Sequence, residues 1–186
     1  QQPVFNQFKD NPEEFIIRAA AIINDEKATA VIQHITYNAL EDRYGTDIFT
    51  EPTIKGKLGM NAMKAKRHLY DHIVYDSTNE QKFAEQLDTN KDVAVYVKLP
   101  SGFYISTPVG RYNPDWAIAF YEGSVKHIYF VAETKGTLDT MKLNHITPTE
   151  QAKIDCAKAH FRAISTDDVV YSVVDSYQAL LEKVMK

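Results

Sequence analysis

Asp115 and Glu133, with Lys135 two residues further on, are the side chains of this sequence whose types and spacing best suit chemistry. Asn113-Pro114-Asp115-Trp116 opens an apolar run, Trp116 to Phe120, and a second run, His127 to Ala132, leads into Glu133-Thr134-Lys135-Gly136. Between them lies Tyr121-Glu122-Gly123-Ser124, a polar, Gly-containing turn of the kind that joins antiparallel strands. Strand side chains alternate between faces, so Glu133 and Lys135 share one face while Thr134 takes the other and offers its carbonyl nearby. Asp115, near the start of the first strand, can lie across from Glu133, near the end of the second. Two carboxylates so close repel, and one takes up a proton unless a cation compensates. Oxygen donors of this kind suit a hard ion such as magnesium. The competing reading is structural: Asp115 ends a turn, and Glu133 and Lys135 form a surface pair on a strand.

The elements that must position these residues can be read in chain order. A first helix is expected from Asn11, a good N-cap, with Pro12 at the first helical position and Glu13 and Glu14 in the first turn. Ala28 to Leu40 carries many β-branched residues and fits either helix or strand; the helix is preferred. Tyr44 to Met60 is rich in Gly and Pro and reads as irregular connection, and helical propensity returns over Ala62 to His68. Leu69 to Tyr75 reads as extended. Ser77-Thr78-Asn79-Glu80 has the form of a capping box, opening a helix to about Leu87 whose apolar stripe is Phe83, Ala84 and Leu87. Glu80 shares that side, so it either bonds back to the Ser77 backbone or points into a metal site. Val93 to Leu99 is a clear strand, with a short extended piece over Phe103 to Thr107. After the hairpin come a polar loop, Thr137 to Thr147, a helix opened by Thr147-Pro148-Thr149-Glu150, a strand over Val169 to Val174 and a last helix from about Ser176 to Met185. The buried face of the Pro148 helix is expected at Ile154, Ala157, Phe161 and Ile164. Residues 77 to 186 thus read helix, three strands, helix, strand, helix.

The chain has 186 residues, 44% hydrophobic and 25% charged, which suits one globular domain or one domain with a substantial appendage. It contains no apolar run long enough to span a bilayer and no signal peptide at its start, so a soluble, cytoplasmic protein without a membrane partner is expected. It begins at Gln1, which reads as a piece of a longer polypeptide. Cys156 is the single cysteine and has no partner for an internal disulfide. A net charge of −4 argues against gripping nucleic acid through the overall field. Local basic stretches remain, Lys55 to His68 and Lys153 to Arg162, and each reads first as a solvated face and second as a nucleic-acid contact. Lys153, Cys156 and His160 share one helix face. One Cys and one His are too few ligands for zinc, so Cys156 is expected to pack, with Lys153 or His160 placed to approach a phosphate. Tyr104, Tyr112 and Trp116 read first as sheet packing and second as base-stacking groups.

Pro114-Asp115 followed on the next strand by Glu133-Thr134-Lys135 resembles the PD-(D/E)xK nuclease superfamily, and the element order resembles its αβββαβ core, a mixed α/β sheet flanked by helices. The series Val97-Lys98-Leu99-Pro100, Thr107-Pro108-Val109-Gly110, Tyr112 to Ala117 and Phe130 to Gly136 more narrowly resembles the C-terminal endonuclease domain of type III restriction enzyme Res subunits. Tyr70-Asp71, Asp76-Ser77 and Glu80 upstream, and Glu150, Lys153-Ile154, Cys156 and His160-Phe161 downstream, extend the likeness. The resemblance implies magnesium-dependent hydrolysis of phosphodiester bonds in double-stranded DNA. Asp115 and Glu133 would hold the metal, the Thr134 carbonyl would complete its shell, Glu80 would serve a second ion, and Lys135 would serve the attacking water. It also implies a DNA methyltransferase (Mod) subunit and a helicase-like ATPase region as partners and a prokaryotic cell as the setting. ATP is expected only at that ATPase region, since this chain has no Gly-rich Walker-type loop. Residues 1 to 75 are then a largely helical connector and 76 to 186 the nuclease domain. A nuclease-fold module that docks DNA or a partner without catalysis is the rival; a paired-carboxylate glycosidase fits less well, because a lysine follows Glu133 so closely.

Overall fold

A computed structural model describes residues 6, 8–32, 36, 37, 49, 56–123, 129–134, 147–164 and 169–185, except the side chains of 28, 29, 31, 32, 129, 130, 133 and 164. Helix α1 spans Pro12–Ile32. Its start is fixed as the sequence suggests: Asn11 Oδ1 accepts the Glu14 N–H at 3.1 Å, satisfying an amide that the first turn leaves without a partner. The helical preference for Ala28 onward holds as far as Ile32; most of 33–55 lies outside the described residues, as does most of the expected connection from Tyr44 to Met60.

The helical expectation for Ala62 to His68 is corrected. Ala62–Lys64 forms β1 and pairs antiparallel with β2, His72–Val74, in the register Ala62↔Val74. Seven residues are too few to hold a helix on propensity alone. The extended alternative buries Ala62, Ala65 and Ile73 and gives the backbone partners in β2. The next segment lies along the main sheet, with the Leu69 N–H donating to Tyr96 O at 2.9 Å and the Tyr96 N–H to Arg67 O at 3.0 Å. Asp88 Oδ1 accepts the Lys66 and Arg67 amides, each at 2.8 Å.

Helix α2 is Thr78–Thr89, with Ser77 at its N-cap accepting the Glu80 N–H. Four strands follow in one sheet: β3 (Val93–Lys98), β6 (Trp116–Phe120), β7 (Tyr129–Thr134) and β8 (Val169–Val174), in the spatial order β3-β6-β7-β8. The first two pairings are antiparallel and β7 with β8 is parallel. A parallel neighbour requires a crossover, and helix α3, Pro148–Ile164, lies between these strands in the chain. Helix α4, Tyr177–Val184, closes the chain on a Ser176 N-cap. Between β3 and β6 a small ribbon is inserted, β4 (Ile105–Thr107) with β5 (Gly110–Tyr112). Only the extended piece ending at Thr107 was readable from sequence. The return turn needs φ of 111° at Gly110, which glycine adopts without strain.

Each face of the sheet has its own core. Phe83, Leu87, Tyr96, Trp116, Ile118, Val174, Leu180 and Val184 pack together beneath α2 and α4. Val97, Val131, Ile154, Ala157 and Phe161 pack on the α3 side. Helices on both faces of a mixed sheet, in the order αβββαβ, make this a restriction-endonuclease-like α/β fold. The expected buried face of α3 is found at Ile154, Ala157 and Phe161, and Cys156 is fully buried, in keeping with a packing role. The Ile164 side chain and the expected loop from Thr137 to 146 lie outside the described residues.

Candidate active site

β6 begins at Trp116, paired with Ala132 of β7. Continuing that register by one residue sets Asp115 across from Glu133, the juxtaposition expected from the hairpin. Glu133 is held on its other side by parallel pairing with Val173. Asp115 itself is fixed from two directions. Its carbonyl accepts the Leu99 N–H at 2.8 Å, which ties it to the end of β3. Its carboxylate Oδ2 accepts both the backbone N–H and the hydroxyl of Thr134, each at 2.7 Å. Such short bonds to an ionised acceptor are among the stronger ones available to a side chain.

Thr134 therefore does more than sequence suggested. Its hydroxyl also accepts the indole N–H of Trp116 at 3.2 Å. Trp116 is fully buried, so that N–H needs a partner, and a hydroxyl can accept from it while donating onward. The result is a relay from Trp116 Nε1 through Thr134 Oγ1 to Asp115 Oδ2. The Glu133 side chain and Lys135 lie outside the described residues.

Glu80 sits at the start of α2 with only 15% of its side chain exposed. Its Oε2 accepts the Asp76 N–H at 2.9 Å and Lys98 Nζ at 2.6 Å. The return bond of the capping sequence thus goes to Asp76 rather than to Ser77. Lys98 also reaches Asp76 Oδ2 at 2.6 Å. Burial opposes the charge of Lys98, but the hydrogen bonds and charges of Asp76 and Glu80 outweigh it and hold the ammonium above its usual pKa. Lys98 pairs across the sheet with Trp116, one residue from Asp115, so this cluster clamps the start of α2 to the strands that carry the site. A lone lysine in a strand gives no such signal in the sequence. Among the described residues no three His, Cys, Asp or Glu side chains stand together, so Asp76, Glu80 and Asp115 do not make such a group by themselves.

The oxygen donors of Asp115, Glu133 and the Thr134 carbonyl are the kind a hard ion takes, and Asp115 is rigidly held where the register brings Glu133 opposite. The residues therefore fit magnesium. A family model described as "Endonuclease domain" matches residues 66–177, more than half of the chain. The chain belongs to this endonuclease-domain family. Nuclease activity goes with that membership. No curated protein and no solved structure matches it. The match begins in the strip bound along β3, upstream of α2. No helix among the described residues is long and apolar enough to cross a membrane.

His68 links that strip to the site. Its Nε2 accepts the Lys98 N–H at 3.2 Å, which requires an unprotonated nitrogen, and its Nδ1 lies 3.2 Å from the Tyr70 carbonyl. Burial lowers its pKa, against opposing pulls from Tyr70 and Asp88. The unfolded state then binds more protons than the folded one, so stability is full above the unfolded value of about 6.5 and falls as pH drops below it. His160 is lowered by burial as well and acts in the same sense. Melting curves between pH 7.5 and 5.5 should therefore show a falling Tm, with a shallower fall in His68→Gln; an equal slope in both proteins would contradict this role for His68.

The remaining aromatic and basic groups separate cleanly. Tyr112 is buried, with its hydroxyl 2.5 Å from that of Tyr171. His160 packs edge-on against Tyr37 and Phe161, whereas Lys153, on the same helix face, lines a cleft together with Arg111 and Asn113.

Proposed function

We propose that this endonuclease domain is the nuclease part of a type III restriction Res subunit and hydrolyses phosphodiester bonds of double-stranded DNA with magnesium. The observation that carries this reading is the register that sets Asp115 across from Glu133, with Asp115 Oδ2 locked by Thr134. A docking module has no need of a carboxylate fixed in this way opposite a second acid. Residues 1 to 75 serve as connector, its last part being the β1–β2 hairpin already packed on the nuclease core, and 76 to 186 form the nuclease domain. The partners are the Mod subunit and the helicase-like ATPase region of the same polypeptide, in a prokaryotic cytoplasm.

Asp115 and Glu133, with the Thr134 carbonyl, are the residues that hold magnesium, and Glu80 joins them if Lys98 releases it. When bound, the ion supplies neutralisation of charge on the phosphate and acidification of water. Asp115 keeps its carboxylate aimed because Thr134 occupies one oxygen. Lys135 acts as a cation that orients the attacking water. A base would need a pKa lowered by several units from about 10.4, and neighbouring carboxylates oppose that shift.

The relay from Trp116 makes the test direct, since Trp116 is the single tryptophan. Titration of magnesium, manganese and calcium, with and without a DNA duplex, should change its fluorescence in the wild type and leave it unchanged in Asp115→Asn. Absence of binding in the wild type by fluorescence and calorimetry, with DNA present, removes the catalytic reading and leaves the docking module.

A further inference from the structure

Beside the Asn113-Pro114-Asp115 turn lies a cleft of about 380 Å³ lined by Arg111, Tyr112, Asn113, Thr147, Thr149, Glu150 and Lys153. It joins the β4–β5 ribbon to the first turns of α3. Arg111 lies over the face of Tyr104, its guanidinium carbon 4.1 Å from the ring centroid, a contact that uses none of its N–H donors. Lys153 Nζ lies against the backbone of Gly110, next to Arg111 in the chain; a Cβ built there would be 3.8 Å from it. Neither cation is in a salt bridge among the described residues, unlike Lys98 and Lys158, whose ammonium groups meet carboxylates. One carboxylate, Glu150, lines the same cleft and partly opposes their charge.

The wall between this cleft and Asp115 is rigid. Asn113 Nδ2 donates to Phe103 O at 2.6 Å and to Pro100 O at 3.2 Å, fastening the turn to the loop that leaves β3. The chain as a whole carries a charge of −4 and so repels nucleic acid at a distance. Contact must therefore come from local cations; Arg111 lies four residues before Asp115 in the chain, and Lys153 lines the same cleft as Arg111 and Asn113.

We infer that Arg111 and Lys153 form a phosphate-binding subsite that grips the DNA strand through phosphates adjoining the one that is cut. The inference rests on the nuclease reading above and names the surface that holds its substrate. Arg111 presents a fork suited to two phosphate oxygens, and Lys153 adds a point charge. Both contact the backbone, so they add affinity without sequence preference.

The test is binding of a fluorescently labelled DNA duplex by the 186-residue chain in metal-free buffer, followed by anisotropy at several salt concentrations. Each phosphate contact contributes a slope of about 0.9 in log affinity against log salt. Arg111→Gln and Lys153→Gln should each reduce the slope by about one unit, and the double variant by about two. Arg111→Lys and Lys153→Arg should retain it, and so should Lys82→Gln, which removes a lysine from α2. Melting temperatures establish that each variant is folded. A wild type that cuts DNA while the Gln variants keep the full slope overturns this inference and leaves the nuclease reading intact. An equal loss in Lys82→Gln also overturns it, because the effect is then one of overall charge. A folded wild type that neither binds nor cuts DNA removes both.

Discussion

Asp115→Asn is expected to lose at least about 100-fold in DNA cleavage while melting close to the wild type, the scale on which removal of a charge-stabilising group at a reacting centre is felt. The amide keeps an oxygen where Oδ2 now accepts the Thr134 N–H and hydroxyl, so those donors remain satisfied. What disappears is the negative charge, and with it the hold on a divalent ion. Asp115→Ala should lose the same activity and also stability, by about 1–3 kcal/mol, because it leaves the Thr134 donors and the Trp116 relay short of an acceptor. Single-turnover cleavage with a melting curve for each variant separates the two effects. Equal stability of the Ala and Asn variants would contradict the clamp described for Thr134.

Lys98→Met is the second large effect. The Lys98 side chain is 21% exposed and its ammonium meets Glu80, whose side chain is 15% exposed, so its removal strands a mostly buried carboxylate. Asp76 is 79% exposed and contributes little. The cost is about 2–4 kcal/mol, less than for a fully enclosed pair because some water reaches both groups. For a chain of this size that lowers Tm by roughly 5–15 °C. Adding Glu80→Gln to Lys98→Met should recover part of the loss, because the stranded charge is gone; a double variant no more stable than Lys98→Met alone argues that the pair is not coupled. The same lesion loosens the start of α2 from β3, and β3 holds the Asp115 backbone through Leu99. Cleavage is therefore expected to fall in Lys98→Met even below its melting range.

The parts of this molecule that could be read in its sequence are those governed by local rules. Asn11 before Pro12, Ser77 three residues before Glu80 and Thr147 before Pro148 announce helix starts because each provides an oxygen for an otherwise unpaired amide. The pairing of Trp116 with Ala132 follows from two apolar runs around one turn, and it carries the Asp115–Glu133 opposition with it. What escaped depends on contacts distant in the chain. β1 is extended because β2 and the core require it, against a weak helical preference. Lys98 looks like any strand lysine until α2 brings Glu80 to it across 18 residues of sequence. Strand alternation assigns Thr134 only its carbonyl, whereas its amide and hydroxyl reach Asp115 and the hydroxyl takes up a buried indole N–H. Arg111 became notable only when the ribbon and α3 set it beside Lys153 in one cleft.

The most direct measurement is cleavage of a supercoiled plasmid by the 186-residue chain, with magnesium and with a chelator in its place. Nicked and linear products that appear with magnesium, vanish with the chelator and vanish in Asp115→Asn are the predicted result. A folded wild type that leaves the plasmid intact across the magnesium range, or one that cuts equally well as Asp115→Asn, contradicts the account.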